Sequence, residues 1–173
     1  MVNRLFEDCP LPLIRSVSAT TRPPRPGEVD GRDYHFLTPE EFHRRREAGD
    51  FLECCEVFGK NFWYGTLQQE VASGLEQGKW VVLEIDVQGT AVVTRYYPAA
   101  ITIFLRPQDW QELERRLRGR GTESEDKVQL RLEVARSELD CARRYQHEVI
   151  NQQVADTVAE ICRILQASGE PTR

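Results

Sequence analysis

The chain is poor in the residues that build metal and thiol chemistry. Its three histidines, His35, His43 and His147, share no ligand spacing with one another or with the cysteines, which excludes the common zinc signatures. They read as surface or packing residues. The five cysteines are an odd number, with Cys54 and Cys55 adjacent and Cys9, Cys141 and Cys162 scattered. No disulfide framework emerges, so reduced thiols in a cytoplasmic setting are expected. No apolar run approaches a membrane span, and the first residues lack a basic-then-apolar secretory signal. Basic charge is not in excess: a net charge of −5 argues against non-specific binding to nucleic acid. Internal repeats, low-complexity tracts and Ser/His/Asp or Cys/His nucleophile arrangements are absent as well. What remains is 173 residues, 40% hydrophobic and 29% charged, in keeping with one globular domain large enough for a real core.

Periodicity and punctuation order the chain. Val2, Leu5 and Phe6 share a face of a short helix that Pro10 stops. Leu13 to Val17 reads as a strand, and Tyr34 to Leu37 as another. Thr38-Pro39-Glu40-Glu41 has an N-cap, a first-turn proline and dipole-matched acids for a helix ending near Gly49. Phe51 to Phe58 is extended, Gly59-Lys60-Asn61 turns, Phe62 to Tyr64 extends again, and Gly65-Thr66 is expected to open a helix ending near Gly78. Trp80 to Asp86 is nearly continuously apolar until it closes on acids, the pattern of a buried parallel strand. Helices are expected from Gln88 to about Tyr97, Gln108 to Leu117, Ser124 to about Tyr145 and Val154 to Leu165, with strands at Ile101–Leu105 and Glu148–Asn151. Strands alternating with helices imply an α/β fold with a mostly parallel sheet.

Three runs carry candidate chemistry. In Ser16 to Phe36 a loop stiffened by Pro23, Pro24 and Pro26 holds Arg22 and Arg25, with Ser18, Thr20 and Thr21 before them and Glu28 after. Such a loop suits a phosphate, which arginine grips bidentately, although alone it also reads as a solvated turn. Glu84 and Asp86 end the strongest strand, where ligands of open parallel sheets sit, although solvated strand-end carboxylates look the same. Arg115, Arg116, Arg118 and Arg120, around Gly119 and Gly121, form a basic break between helices that could equally be a solvated face.

Together these runs resemble the guanylate kinases, from Val2 to about Leu165. The first fills every fixed position of the family's SxTTRxPRxGExxGxxYxF segment, Glu84-Ile85-Asp86-Val87-Gln88-Gly89 matches its (D/E)-I-D-x-Q-G strand end, and RGRGT matches its lid. The resemblance implies a P-loop-type nucleoside monophosphate kinase fold: a parallel sheet flanked by helices over 1–33 and 79–173, a helical lid at about 118–136, and a small GMP-binding α+β insert over 34–78. It implies transfer of phosphate from ATP to GMP, with Mg²⁺ and no covalent intermediate. By the same resemblance Ser18, Arg22, Arg25, Tyr34 and Tyr64 hold the GMP phosphate, while Glu53, Thr66 and Glu84 contact the base. Glu28 and Gly89 complete the substrate motifs. Asp86 lies near the phosphates and the magnesium, Arg120 and Arg131 clamp the transferring group, and Asn151, in a V-x-N element, lies near the adenine. The partners implied are small nucleotides, with neither nucleic acid nor membrane.

The turn before Tyr64 is longer than the family's, and Gln152 stands where an Asp is usual. One family element has no match: no G-x-x-x-x-G-K-[ST] loop, whose amides and lysine hold ATP phosphates, occurs in these residues. Phosphotransfer by the 173 residues is therefore expected to be lost or impaired. A start set too far downstream, a truncation and a natural non-catalytic relative each account for this. Two other readings stay open. One is a guanylate kinase-like interaction domain that binds phosphopeptides or helices, against which the base-reading acids and lid arginines speak. The other is a kinase for a different nucleoside monophosphate, which Glu53 and Glu84 disfavour.

Overall fold

A computed structural model describes residues 1–57, 62–118 and 125–171, so the expected turn at Gly59-Lys60-Asn61 and the break around Arg120 lie outside it. In chain order the elements are α1 (Val2–Asp8), β1 (Leu13–Arg15), β2 (Ala19–Thr20), β3 (His35–Phe36), α2 (Pro39–Glu47), β4 (Phe51–Val57), β5 (Phe62–Leu67) and α3 (Gln68–Glu76). There follow β6 (Trp80–Val82), α4 (Val87–Tyr96), β7 (Ile103–Pro107), α5 (Trp110–Arg118), α6 (Glu125–Cys141), β8 (His147–Asn151) and α7 (Val154–Ala167). They group into two compact units. One combines Met1–Pro10 with Ile101–Gly169, and the other spans Leu11–Ala100 with the C-terminal stretch from Glu170.

In the first unit β7 and β8 run parallel, from Ile103 opposite His147 to Pro107 opposite Asn151. Parallel neighbours need a long crossover, and α5 and α6 lie within it. The helix α7 buries Thr157, Val158, Ile161, Cys162 and Leu165, a helical stripe that packs against α1 and β8.

In the second unit β1 and β6 are also parallel, with Leu13 opposite Trp80 and Arg15 opposite Val82. A four-stranded mixed sheet runs in the order β3-β2-β5-β4. Its apolar support is a cluster of Ala19, Phe42 and Leu67, joined by Leu37, Phe51, Cys54 and Trp63. Phe42 is fully buried and stacks on Phe51 with ring centroids 4.4 Å apart. A second cluster, Leu52, Val71 and Val93, gathers Leu75, Val81, Leu83 and Ile85. The expected start of α2 is present: the Thr38 hydroxyl accepts the Glu41 N–H at 3.2 Å, and Pro39 occupies the first turn.

Three expectations change. Gly65 and Thr66 do not open a helix; they belong to β5, where Gly65 faces Cys54 and Thr66 faces Glu53. The strand wins because a Cβ at Gly65 would lie 2.8 Å from Phe51 and 2.9 Å from Cys54, so the glycine serves close strand approach and not a turn. The strand expected to run to Asp86 is paired only over Trp80–Val82, since its partner β1 is three residues long. Finally, β2 was not foreseen. Its two residues pair with both β3 and β5, ladders that no local pattern announces.

Gly74 sets the distance between α3 and the β1–β6 pair. A Cβ there would lie 2.5 Å from Val81 Cγ2 and 2.9 Å from Ile14 Cγ2, both on stiff β-branched side chains. Gly74→Ala is therefore expected to lower the unfolding free energy by about 1–2 kcal/mol in urea titration, because overpacking outweighs the helix-propensity gain. An unchanged or raised midpoint would show that the layer yields.

Candidate active site

The proline–arginine loop leaves the mixed sheet at Thr20 and re-enters it at His35. The two threonines before Arg22 are spent on β5. Thr20 Oγ1 donates to the Trp63 carbonyl at 3.0 Å and accepts the Arg22 N–H at 3.1 Å, while Thr21 Oγ1 accepts the Trp63 N–H at 2.9 Å. This clasp fixes the backbone from which the Arg22 side chain projects. Arg22 is only 8% exposed. Its guanidinium donates to both Glu28 carboxylate oxygens at 2.9 Å, to the Pro23 carbonyl at 2.7 Å and to the Tyr64 hydroxyl at 3.2 Å. It lies 5.4 Å from the Tyr34 ring centroid, and Tyr34 meets Tyr64 edge-on at 5.8 Å. Burial raises the Tyr34 hydroxyl above its usual range. Glu28 is held below the ordinary carboxylate range, first by Arg22 and then by the Arg25 N–H, which donates at 2.6 Å. Glu28 thus braces Arg22. The side chain of Arg25 is exposed, and Ser18 is half-buried just before β2.

A second group forms where β4, β5 and α4 meet. Glu53 is 8% exposed and accepts the Thr66 hydroxyl at 2.6 Å. Burial raises its carboxyl above the usual range; the Thr66 bond opposes this and the Asp86 charge adds to it. Asp86 caps α4: its Oδ1 accepts the Gly89 N–H at 2.8 Å, and its Oδ2 accepts the Cys55 thiol at 3.7 Å. A Cβ at Gly89 would lie 3.1 Å from Glu53 Oε2, so glycine there lets the helix end sit against the acid. Glu53, Thr66, Asp86 and Gly89 are therefore together. Glu84 is not with them: it pairs with Arg15 at 3.3 Å, and its charge acts on Tyr34. The two acids are thus arranged the other way round from the sequence expectation, Asp86 beside Glu53 and Glu84 on the arginine–tyrosine side.

The family model for guanylate kinase matches residues 1–168. The chain belongs to the guanylate kinase family. It is 55% identical over 166 residues to the guanylate kinase of Rhodopirellula baltica, covering 95% of this chain and 79% of that protein. With the guanylate kinase of Corynebacterium efficiens it shares 44% over 165 residues, 95% of this chain and 86% of that one. The crystal structure of the guanylate kinase from Anaplasma phagocytophilum superposes with a TM-score of 0.81 at 30% identity, over 99% of this chain and 81% of that one. The fold is accordingly that of the P-loop nucleoside monophosphate kinases, and the enzyme class is a kinase. Among the described residues no helix is long and apolar enough to cross a membrane.

Two residues matched to guanylate kinase motifs lie in the other compact unit. Arg131 is on α6, and Asn151 ends β8, with Oδ1 3.5 Å from the buried Thr157 hydroxyl. Arg120 lies outside the described residues, as does the side chain of Arg116. Trp63 packs in the apolar cluster, as hairpin packing predicts. His35, expected as a bland residue, bonds Glu70 at 3.0 Å and ties β3 to α3. Sequence reasoning passed over Cys55. Strand alternation, which puts residue 55 on the face of Glu53, was the signal that could have found it.

The raised Glu53 carboxyl has a stability consequence. Below the ordinary carboxylate range both folded and unfolded chains hold the proton and no cost arises. As pH rises through the window above it, the unfolded chain ionises first, and the fold, which holds the proton longer, loses stability. Glu53→Gln keeps an acceptor for Thr66, so it is expected to raise the thermal midpoint at pH 7 and to flatten its decline between weakly acid and neutral pH. Parallel pH profiles for the two proteins would contradict this.

Proposed function

We propose that this chain transfers the γ-phosphoryl group of ATP to GMP, giving ADP and GDP without a covalent intermediate. The observation that carries the reading is the Glu53–Thr66 pair, on the same two-stranded hairpin as Tyr64, whose hydroxyl touches Arg22, with Asp86 brought beside it from the start of α4. Guanine presents adjacent N1–H and N2–H₂ donors in one plane, which suit a carboxylate edge. Adenine lacks that pair and would leave partly buried acids unmatched, a large penalty. In this reading Glu53, Thr66 and Asp86 take the base, with Gly89 allowing the close packing. Arg22, braced by Glu28, takes the phosphate with Arg25, Ser18, Tyr34 and Tyr64. Glu84, paired with Arg15, belongs to the phosphate side. Phosphoryl transfer needs positioning and charge neutralisation, roles for which the family motifs put forward Arg120 and Arg131, with Asn151 near the adenine.

In this reading Asp86, beside Glu53 at the start of α4, is given to the base, and its part toward the magnesium is indirect. Among the described residues no group of three potential ligands gathers. The divalent ion belongs with the ATP phosphates, as part of that substrate. Five free thiols suit a reducing, cytoplasmic setting for this reaction. The 173 residues hold no G-x-x-x-x-G-K-[ST] loop, so as a polypeptide by themselves they are proposed to bind GMP yet transfer phosphate slowly.

Isothermal titration of this polypeptide is expected to show GMP binding with AMP far weaker. Asp86→Asn should weaken GMP by about 10- to 100-fold, the loss typical of a charged hydrogen-bond partner, and Glu84→Gln by only a few-fold. Equal binding of AMP, or a heavier loss from Glu84→Gln, would refute the assignment. A coupled assay showing ordinary turnover would refute the proposed impairment.

A further inference from the structure

Two donors of different kinds hold the Asp86 carboxylate. The Gly89 N–H, in the first turn of α4, donates to Oδ1 at 2.8 Å, an ordinary N-cap bond that many residues would make there. The Cys55 thiol donates to Oδ2 at 3.7 Å from a different element, β4. Its backbone is fixed by pairing opposite Tyr64, and it shares a strand face with Glu53. Cys54, the neighbour between them, packs into the Phe42 cluster on the other face. The adjacent cysteines therefore have separate tasks, one apolar and one polar. Burial, then the charges of Asp86 and Glu53, push the Cys55 thiol up to about 12. It stays protonated at neutral pH, a poor nucleophile and a constant donor.

We infer that Cys55 is a positioning residue for guanine recognition, its S–H setting the plane of the Asp86 carboxylate. The count of lone pairs supports this. A carboxylate offers about four acceptor sites. The Gly89 N–H uses one on Oδ1 and the Cys55 S–H uses one on Oδ2, which leaves one on each oxygen for the paired N1–H and N2–H₂ of the base. Without the thiol, the torsion that turns the carboxylate is broad and soft, and Oδ2 is free to swing away. The inference rests on the base-binding role of Asp86 proposed above.

The test is isothermal titration of the same polypeptide, as parent, Cys55→Ala and Cys55→Ser, against GMP and IMP. IMP keeps the phosphate, the ribose and N1–H but lacks the N2 amino group. Cys55→Ala is expected to weaken GMP about three- to tenfold, the size of one weak hydrogen bond to a charged group, and to shrink the preference for GMP over IMP. Cys55→Ser, which keeps an O–H donor, should stay within about twofold of the parent and recover the preference. If the alanine variant does not fold, Cys55→Val fills the space without a donor and is expected to behave as the alanine variant would. An alanine variant within twofold of the parent, a serine variant as weak as alanine, or equal losses for GMP and IMP would each overturn the inference. A parent that binds no GMP would instead remove the nucleotide reading, and this inference with it.

Discussion

A buried cation must be partnered from the moment the chain folds, and that constraint shapes the neighbourhood of Arg22. At 8% exposure its guanidinium cannot rely on water. Glu28 supplies both carboxylate oxygens, a carbonyl and a tyrosine hydroxyl take further N–H groups, and two aromatic rings lie beside it. The three prolines limit how the loop can bend, and the threonine clasp on Trp63 fixes where it starts. Remove Glu28 and the fold keeps a buried, incompletely matched charge, which costs more than the pair contributes net. The same pairing keeps the guanidinium in one orientation, with Nε, Nη1 and Nη2 all engaged.

The β4–β5 hairpin links this loop to the acidic group. On β5, Trp63 receives the threonines, Tyr64 meets Arg22, and Thr66 bonds Glu53. On β4, Glu53 and Cys55 face Asp86 while Cys54 enters the apolar cluster. Period-two alternation thus sorts one short ribbon into a structural face and a chemical face. Gly65 permits the strands to close, and Gly89 permits the helix end to close on them.

The sequence made the fold class and most elements legible, because helix caps, prolines and apolar periods are local signals: α2 with Thr38 and Pro39 begins where expected. It also marked Arg22, Tyr34, Glu53, Tyr64 and Thr66 through spaced motifs. What stayed hidden depends on partners distant along the chain. The sequence places Thr20 and Thr21 only beside Arg22, and their bonds to Trp63, some forty residues on, are invisible in it. Glu84 and Asp86 look interchangeable by position, and only Arg15 on one side and Gly89 with Cys55 on the other distinguish them. Gly65-Thr66 resembled a helix start because the signal for glycine in a close-packed ribbon is the identity of its cross-strand neighbours.

The placement of β2 between β3 and β5 has one more consequence. The loop over residues 21–34 begins and ends on strands that are hydrogen-bonded to each other, and inside it Asp30 bridges Tyr34 while Gly31 bonds the Tyr34 carbonyl. It is a closed circuit, of the length and near-touching ends that define Ω-loops. Such a circuit is modular: its entropy of closure is met by the two-residue ladder at its base. Variation at its exposed positions can therefore be accommodated without re-registering the sheet, while Thr21 and Arg22 stay tied to β5.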